Sequence, residues 1–234
     1  MMALPMFVET HLRSHPLFSR LTSRQVSRVS RGARALHLRQ GERLFEYGQA
    51  AERSFLVARG LLKLHRLSPE GAEKIIELTP AGSLFAEALL FLDNPHYPLS
   101  AEALTASEVL ALDNKILRSV LEESTAACLW VNMALNRWVE RLLDEINALT
   151  LQNATLRVVN YLLRLLPEGG GNGMEITLPA AKHLIASRLS VTPETLSRIL
   201  NNLNARGLIS VHREIIRIHD VNALRACSER ADCV

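Results

Sequence analysis

The stretch AAKHLIASRLSVTPETLSRILNNLNARG, residues 180–207, decides how this chain is read. Two amphipathic segments, about Ala180–Arg188 and Pro193–Arg206, are separated by only three or four residues, a link that forces a sharp corner between helices. Thr192 can cap the second helix, and Pro193 suits its first position, where a missing N–H costs nothing. Gly207 follows the last turn, as a C-terminal glycine should. Leu196, Ile199, Leu200 and Leu203 share the inner face, which leaves Glu194, Ser197 and Arg198, beside Thr195, on the open face of the first turns. A second helix placed this way meets base edges in the major groove of DNA. There an arginine grips guanine O6 and N7, a glutamate accepts from cytosine N4, and a serine reaches a base or a phosphate. Thr192 and Arg188 complete the expected DNA-facing set.

A short strand, MEITLP (174–179), precedes this corner, and GLISVHREIIRIHD (207–220) alternates and turns at His212-Arg213-Glu214 after it, as the β-wing of a winged helix does. An ordinary helical hairpin with a solvated polar face would explain the two helices but not the wing. Further upstream, NATLRVVNYLLRLL (153–166) reads as another amphipathic helix, closed by Pro167 and a glycine-rich loop.

The first half of the chain has a different rhythm. After a helix-compatible stretch from about Thr10 to Arg34, glycines recur at 41, 48, 60, 71 and 82 between short apolar segments such as SFLVAR, LLKLHRL and KIIEL. That pattern predicts a roll or sandwich of antiparallel strands, with a clear hairpin across SPEG (68–71) and a last strand, SEVLALD, ending near Asn114. Between Gly82 and Gly169 there is no glycine, and between Pro98 and Pro167 no proline, so a long helix is expected. Within it Val131, Leu135, Trp138, Leu142 and Leu149 follow the steps of a coiled-coil seam, with one acidic break at Glu145. A second stripe, Val139, Leu143 and Ile146, could face the chain's own core and leave the first for the partner in a homodimer. The predicted fold class is therefore α+β: a β-roll sensing domain over 1–123, a dimerisation helix over 124–151 and a winged helix-turn-helix over 152–234.

With 234 residues, 48% of them hydrophobic, the chain can bury real cores. No apolar run approaches the roughly 18 residues of a membrane span, and the start lacks the character of a secretory signal, so a cytoplasmic protein is expected. Cys128, Cys227 and Cys233 match no metal pattern, and their odd number argues against a disulfide framework, leaving the last two as tail thiols. Residues 152–234 carry ten bases against seven acids, a basic excess that suits nucleic acid but is modest.

The order of parts, with Glu194, Ser197 and Arg198 in an E-x-x-S-R arrangement, resembles the CRP/FNR superfamily of bacterial transcription regulators over essentially the full length. LSPEGAEKIIELT (67–79), FAEALLFLDNPHY (85–97), LQNATLRVVNYLL (151–163) and LSVTPETLSRI (189–199) look like its Dnr-type branch, regulators of dissimilatory nitrate respiration that respond to nitric oxide. The resemblance implies an effector-switched dimer, probing double-stranded DNA and contacting RNA polymerase. It also implies an effector pocket, for which Glu87, Leu89, Phe91, Trp130 and Met133 are the candidates, and exchangeable haem, with His15 as the candidate ligand.

Departures from the superfamily pattern narrow the effector. Members that bind cyclic nucleotides place a Gly-Glu pair and a later arginine, whereas here Ala86 precedes Glu87 and no arginine stands among Pro95–Ser100, so cyclic AMP is not expected. The first cysteine is Cys128, which excludes the N-terminal cluster of an iron–sulfur sensor. Two alternatives stand beside this reading: a CRP-type regulator that does respond to a cyclic nucleotide, and a cupin-type metalloenzyme using His65, His96 and Glu87, which the lack of an H-x-H pair disfavours.

Overall fold

The computed structural model describes residues 4–69, 71–151, 153–167 and 170–229. The expected Thr10–Arg34 helix is two helices, α1 (Leu4–Ser14) and α2 (Ser23–Gly32), with a short 3-10 turn over Phe18–Arg20 between them. The break has a local cause. Thr22 adopts an extended backbone and forms a capping box: its hydroxyl accepts from the Gln25 N–H at 3.3 Å, and the Gln25 side chain accepts from the Thr22 N–H at 3.0 Å. Two otherwise orphaned donors are satisfied there, so a new helix starts.

Eight strands follow: β1 (Arg34–Leu38), β2 (Arg43–Phe45), β3 (Arg53–Arg59), β4 (Leu61–Leu67), β5 (Glu73–Pro80), β6 (Leu84–Phe85), β7 (Ser100–Ala103) and β8 (Ser107–Asp113). They pair antiparallel in two four-stranded sheets, β1-β8-β3-β6 and β2-β7-β4-β5. The glycines of the sequence rhythm sit at the turns. Gly60, joining β3 to β4, has φ +91°, and a Cβ there would lie 2.2 Å from Ser107 Oγ and 2.8 Å from the Ala106 carbonyl, so no other residue fits without a shift. Between the sheets Phe45, Phe55, Phe85 and Tyr97 form an aromatic stack, with the Phe45 and Tyr97 ring centroids 3.8 Å apart.

A second core lies under the helices. Leu12, Phe18, Val26 and Val29 pack against Leu110 and Leu112 of β8 and against Leu117 and Leu121 of α3 (Asn114–Glu122). Asp113 starts α3 by accepting from the Lys115 and Ile116 N–H groups at 3.0 and 3.2 Å.

The long helix, α4 (Thr125–Leu151), is present as expected, but the start of the expected seam is packed inside the chain and the stripe assigned inward is exposed. Val131, assigned to the partner-facing seam, is 2% exposed in the chain's own core, and Leu135 packs against the same core. Val139, Leu143 and Ile146, assigned inward, are 50–56% exposed, and Leu129 and Met133 extend that exposed face toward the helix start. Trp138 and Leu149 are partly exposed and Leu142 is half-buried. Both stripes satisfy helical periodicity, so only the position of the packed sheet and helices decides which is covered. No helix among the described residues is long and apolar enough to cross a membrane.

The chain divides into two compact units, Met1–Val139 and Glu140–Val234. In the second, α5 (Ala154–Arg164) is capped by Asn153, whose Oδ1 accepts from the Leu156 N–H at 2.9 Å. Then come β9 (Met174–Thr177), α6 (Lys182–Arg188), α7 (Pro193–Ala205), β10 (Ile209–His212), β11 (Ile215–Ile218) and α8 (Val221–Glu229). The three strands make an antiparallel sheet, β10-β11-β9, which is the expected wing. Helix α8 packs on α5 and carries Cys227, which is disulfide-bonded rather than a free tail thiol; Cys233 lies outside the described residues.

Candidate nucleic-acid interface

The recognition helix is built by local chemistry. Thr192 is extended, and its Oγ1 accepts from the Thr195 N–H at 3.2 Å, with Pro193 in the first turn. Leu196, Ile199, Leu200 and Leu203 are all at most 6% exposed, whereas Glu194, Ser197 and Arg198 are exposed and Thr195 is half-buried beside them. The Glu194 carboxyl is held below the usual carboxylate range by a hydrogen bond from its own backbone N–H and one from Thr192, so at neutral pH it is an anionic acceptor. The helix ends in a Schellman motif: Gly207, at φ +70°, donates to the Asn204 carbonyl at 2.9 Å, and Leu208 donates to Leu203 at 3.1 Å.

The corner itself depends on a residue that sequence reasoning did not single out. Ser190 takes a left-handed conformation, φ +53°, and the Val191 N–H returns to the Ala186 carbonyl at 3.0 Å. From α5, Arg157 donates through Nε to the Leu189 carbonyl at 3.0 Å and through Nη2 to the Ser190 carbonyl at 3.2 Å. One guanidinium thus ties the end of α6 and the turn to a third helix. No local signal marks Arg157, because its partners lie 32 and 33 residues away.

Arg188, expected to face DNA, instead donates to Glu145 at 2.5 Å, with both side chains less than a third exposed. That contact explains the acidic break in the apolar pattern of α4: Glu145 holds the end of α6 rather than interrupting a seam. At the wing, a two-residue turn of Arg213 and Glu214 joins β10 to β11. Arg213 has φ +57°, a conformation costing a non-glycine residue about 1 kcal/mol, and the exposed turn puts its cation at the outermost point of the wing. The Glu214 carbonyl accepts from the Leu178 N–H at 2.9 Å, which pins the tip to the end of β9.

On the sensing side, the five expected pocket residues do not converge. Leu89 lines a cavity of about 620 Å³ together with Leu90, Arg53, His96, Lys115 and Arg118. Glu87 is half-buried in the adjoining 3-10 helix, Phe91 is 41% exposed under the Arg118 guanidinium, and Met133 is on the exposed stripe of α4. Trp130 meets His15 edge-on, with centroids 5.2 Å apart. A second cavity of about 250 Å³ lies beside the aromatic stack, lined by Arg34, Leu36, Phe45, Gln49, Arg53 and Tyr97. Arg53 is committed to the fold: it donates to the Gly32 carbonyl at 3.2 Å and lies 3.8 Å from Asp113.

His15 is 7% exposed, and burial pushes its imidazole down to about 4, so it is neutral at physiological pH. Its Nδ1 accepts from the Leu17 N–H at 3.3 Å. Iron ligation through Nδ1 would displace that donor, and ligation through Nε2 would require a proton on Nδ1, facing the same N–H. As packed, His15 therefore does not fit the haem-ligand role expected of it; it is a core histidine.

A β-roll, a long helix and a winged helix-turn-helix with an open polar face are together the architecture of a DNA-binding transcription regulator. Residues 35–124 match the cyclic nucleotide-binding domain family and residues 156–227 the Crp-like helix-turn-helix domain family. The chain is 35% identical to DNR from Pseudomonas aeruginosa, covering 93% of this chain and 96% of that one with a TM-score of 0.50. It is 28% identical over 214 residues to the cyclic AMP receptor protein of Thermus thermophilus, spanning 91% of this chain and 96% of the relative. In fold it also matches FixK2 from Bradyrhizobium japonicum, at 21% identity, with a TM-score of 0.72 over 83% of this chain and 96% of that one. The chain belongs to the CRP/FNR family of transcription regulators. It is a regulator and not an enzyme; among the described residues His65 groups with Glu73 and Glu102, not with the His96 and Glu87 of a cupin-type site.

Proposed function

We propose that the chain is a homodimeric, effector-switched activator of denitrification and nitric-oxide-responsive genes, binding a two-fold symmetric site that resembles TTGAT and its inverted partner and acting with RNA polymerase. The observation that carries the DNA reading is the exposed Glu194, Ser197 and Arg198 face at the capped start of α7. The 35% identity to DNR, spread over 93% of the chain, supports the nitric-oxide branch. The exposed apolar stripe of α4 supports the dimer, since a two-fold protein matches a two-fold operator. An effector acts by shifting an equilibrium between dimer arrangements with poor and good half-site spacing.

Losing a bidentate arginine–guanine pair costs about 1–3 kcal/mol of discrimination. In fluorescence anisotropy with full-length protein, Arg198→Ala is expected to weaken binding to the palindrome by about tenfold or more while binding to random DNA changes little. Equal losses on both DNAs would show that Arg198 does not read a base.

Cyclic AMP is not proposed as the effector, because four aromatic rings stack between the sheets, the cavity beside them is only about 250 Å³, and its Arg53 is already engaged. Calorimetry is expected to give no saturable heat; micromolar binding that strengthens DNA binding would restore a CRP-type response. Haem remains the proposal that the branch resemblance implies, supplying an iron atom for nitric oxide, with a ligand other than His15 as packed. A saturable Soret band on titrating the apoprotein, unchanged in His15→Asn, is the expected result, and no saturable band removes haem from the proposal.

A further inference from the structure

On the face of the β2-β7-β4-β5 sheet opposite the aromatic stack, charged side chains are buried. Along β4, Leu62 and Leu64 point into the roll, so Lys63 and His65 point the other way, yet they are only 7% and 2% exposed. Glu102 of β7 is directly across from Lys63, and Glu73 begins β5 on the same face. Lys63 Nζ lies 2.6 Å from Glu73 and 3.3 Å from Glu102. His65 Nδ1 is 3.2 Å from Glu73 Oε1 but makes no hydrogen bond, leaving a buried imidazole nitrogen unsatisfied beside that carboxylate. Burial pushes the His65 imidazole toward its neutral form, opposed by Glu73 and Glu102. Such an orphaned nitrogen carries a real free-energy cost unless something else uses its lone pair.

We propose that His65, Glu73 and Glu102 form a binding site for a divalent transition-metal ion of the zinc class, with Lys63 as a built-in competing cation. The three side chains each offer one ligand atom, all within 4.8 Å of one another. In a tetrahedral zinc site, ligand atoms about 2.0–2.2 Å from the ion stand roughly 3.3 Å apart, which the 3.2 Å between His65 Nδ1 and Glu73 Oε1 already matches. Glu102 closes the remaining gap by side-chain rotation. One imidazole and two carboxylates leave the fourth position to water. The donor set selects a metal that accepts imidazole over magnesium or calcium, which take oxygen ligands. Binding exchanges one cation for another: the metal enters and the Lys63 ammonium swings out to solvent on its four-carbon stem, still protonated. Occupancy would cross-link β4, β5 and β7. The site is independent of the recognition helix, so the Arg198 experiment and this one can fail separately.

Untagged full-length protein, stripped with EDTA and checked by circular dichroism, is titrated with Zn²⁺ in a calorimeter. Saturable one-to-one binding is expected, weakened about tenfold or more in His65→Ala and in Glu102→Gln, and tightened about tenfold in Lys63→Met, which removes a buried positive charge. Mg²⁺ at the same concentration is expected to give no saturable heat. Because Lys63→Met leaves two carboxylates without their ammonium, its melting temperature is measured with and without Zn²⁺; a larger rise than in the unmodified protein supports the site. Absence of saturable binding to the unmodified protein, or unchanged affinity in His65→Ala, overturns the proposal and leaves the cluster as a buried ion-pair network.

Discussion

Replacing Arg157 with Met tests how the recognition helix is held. The guanidinium makes charge-assisted hydrogen bonds to the Leu189 carbonyl at 3.0 Å and to the Ser190 carbonyl at 3.2 Å. Such bonds contribute about 1.5–3 kcal/mol each when enclosed, but Ser190 is exposed and its carbonyl can turn to water, whereas Leu189 is 6% exposed and cannot. The net loss is about 2 kcal/mol, most of it the stranded Leu189 carbonyl, or roughly a 30-fold increase in local opening of the turn. Native-state hydrogen exchange reads this directly at the Leu189 and Val191 amides, which bond back to Ile185 and Ala186 across the corner. Arg157→Lys, with one compact ammonium in place of the two-pronged donor, is expected to fall between the two. Palindrome binding should weaken in the same order, although Arg157 is not assigned a base contact. Indistinguishable exchange at both amides in Arg157→Met would refute the idea that α5 clamps the corner.

Other perturbations follow from the same geometry. Leu143→Asp places a charge in the exposed apolar stripe of α4, which is 56% exposed at that residue in the single chain, and is expected to yield a folded monomer in sedimentation at micromolar concentration; a folded dimer would move the interface elsewhere. The folded-state value of His15, about 4, lies below its unfolded value of 6.5, so the stability it permits is full above pH 6.5 and is lost as pH falls toward 4, by about 3 kcal/mol. His15→Asn keeps an acceptor near the Leu17 N–H but cannot titrate, so urea midpoints at pH 7 and pH 4.5 should differ less than in the unmodified protein; an equal difference would count against burial of a neutral His15. Ala86 adopts φ +66°, so Ala86→Gly should raise the melting temperature of the β-roll by relieving about 1 kcal/mol of strain, and a lower melting temperature would contradict that.

What the sequence determined by itself was whatever rests on neighbours within a few residues. The Thr192 cap, Pro193 in the first turn, the Gly207 terminus and the buried Leu196, Ile199, Leu200 and Leu203 are all decided inside one helix and its ends. The glycine rhythm located the turns of the roll for the same reason: a positive φ is a requirement of one residue, met by Gly60 or Gly71 wherever the rest of the chain lies. The missed break near Pro16 and Thr22 was also local, and the capping box with Gln25 was its signal.

Tertiary structure alone decided the matters that compare distant residues. Both stripes of α4 had the right period, and Val131 is inside because it joins the core that the helices and β8 build together, not because of anything in its own helix. Arg188 looked like a DNA contact until Glu145, 43 residues away, was found to hold it, and Arg157 looked like nothing until the corner came to rest against it. His15 lost its lone pair to Leu17 and its solvent to Phe18 and Trp130. Periodicity shows that a face is apolar or that a cation is present; burial and pairing depend on which surface arrives opposite, and that is a property of the folded chain.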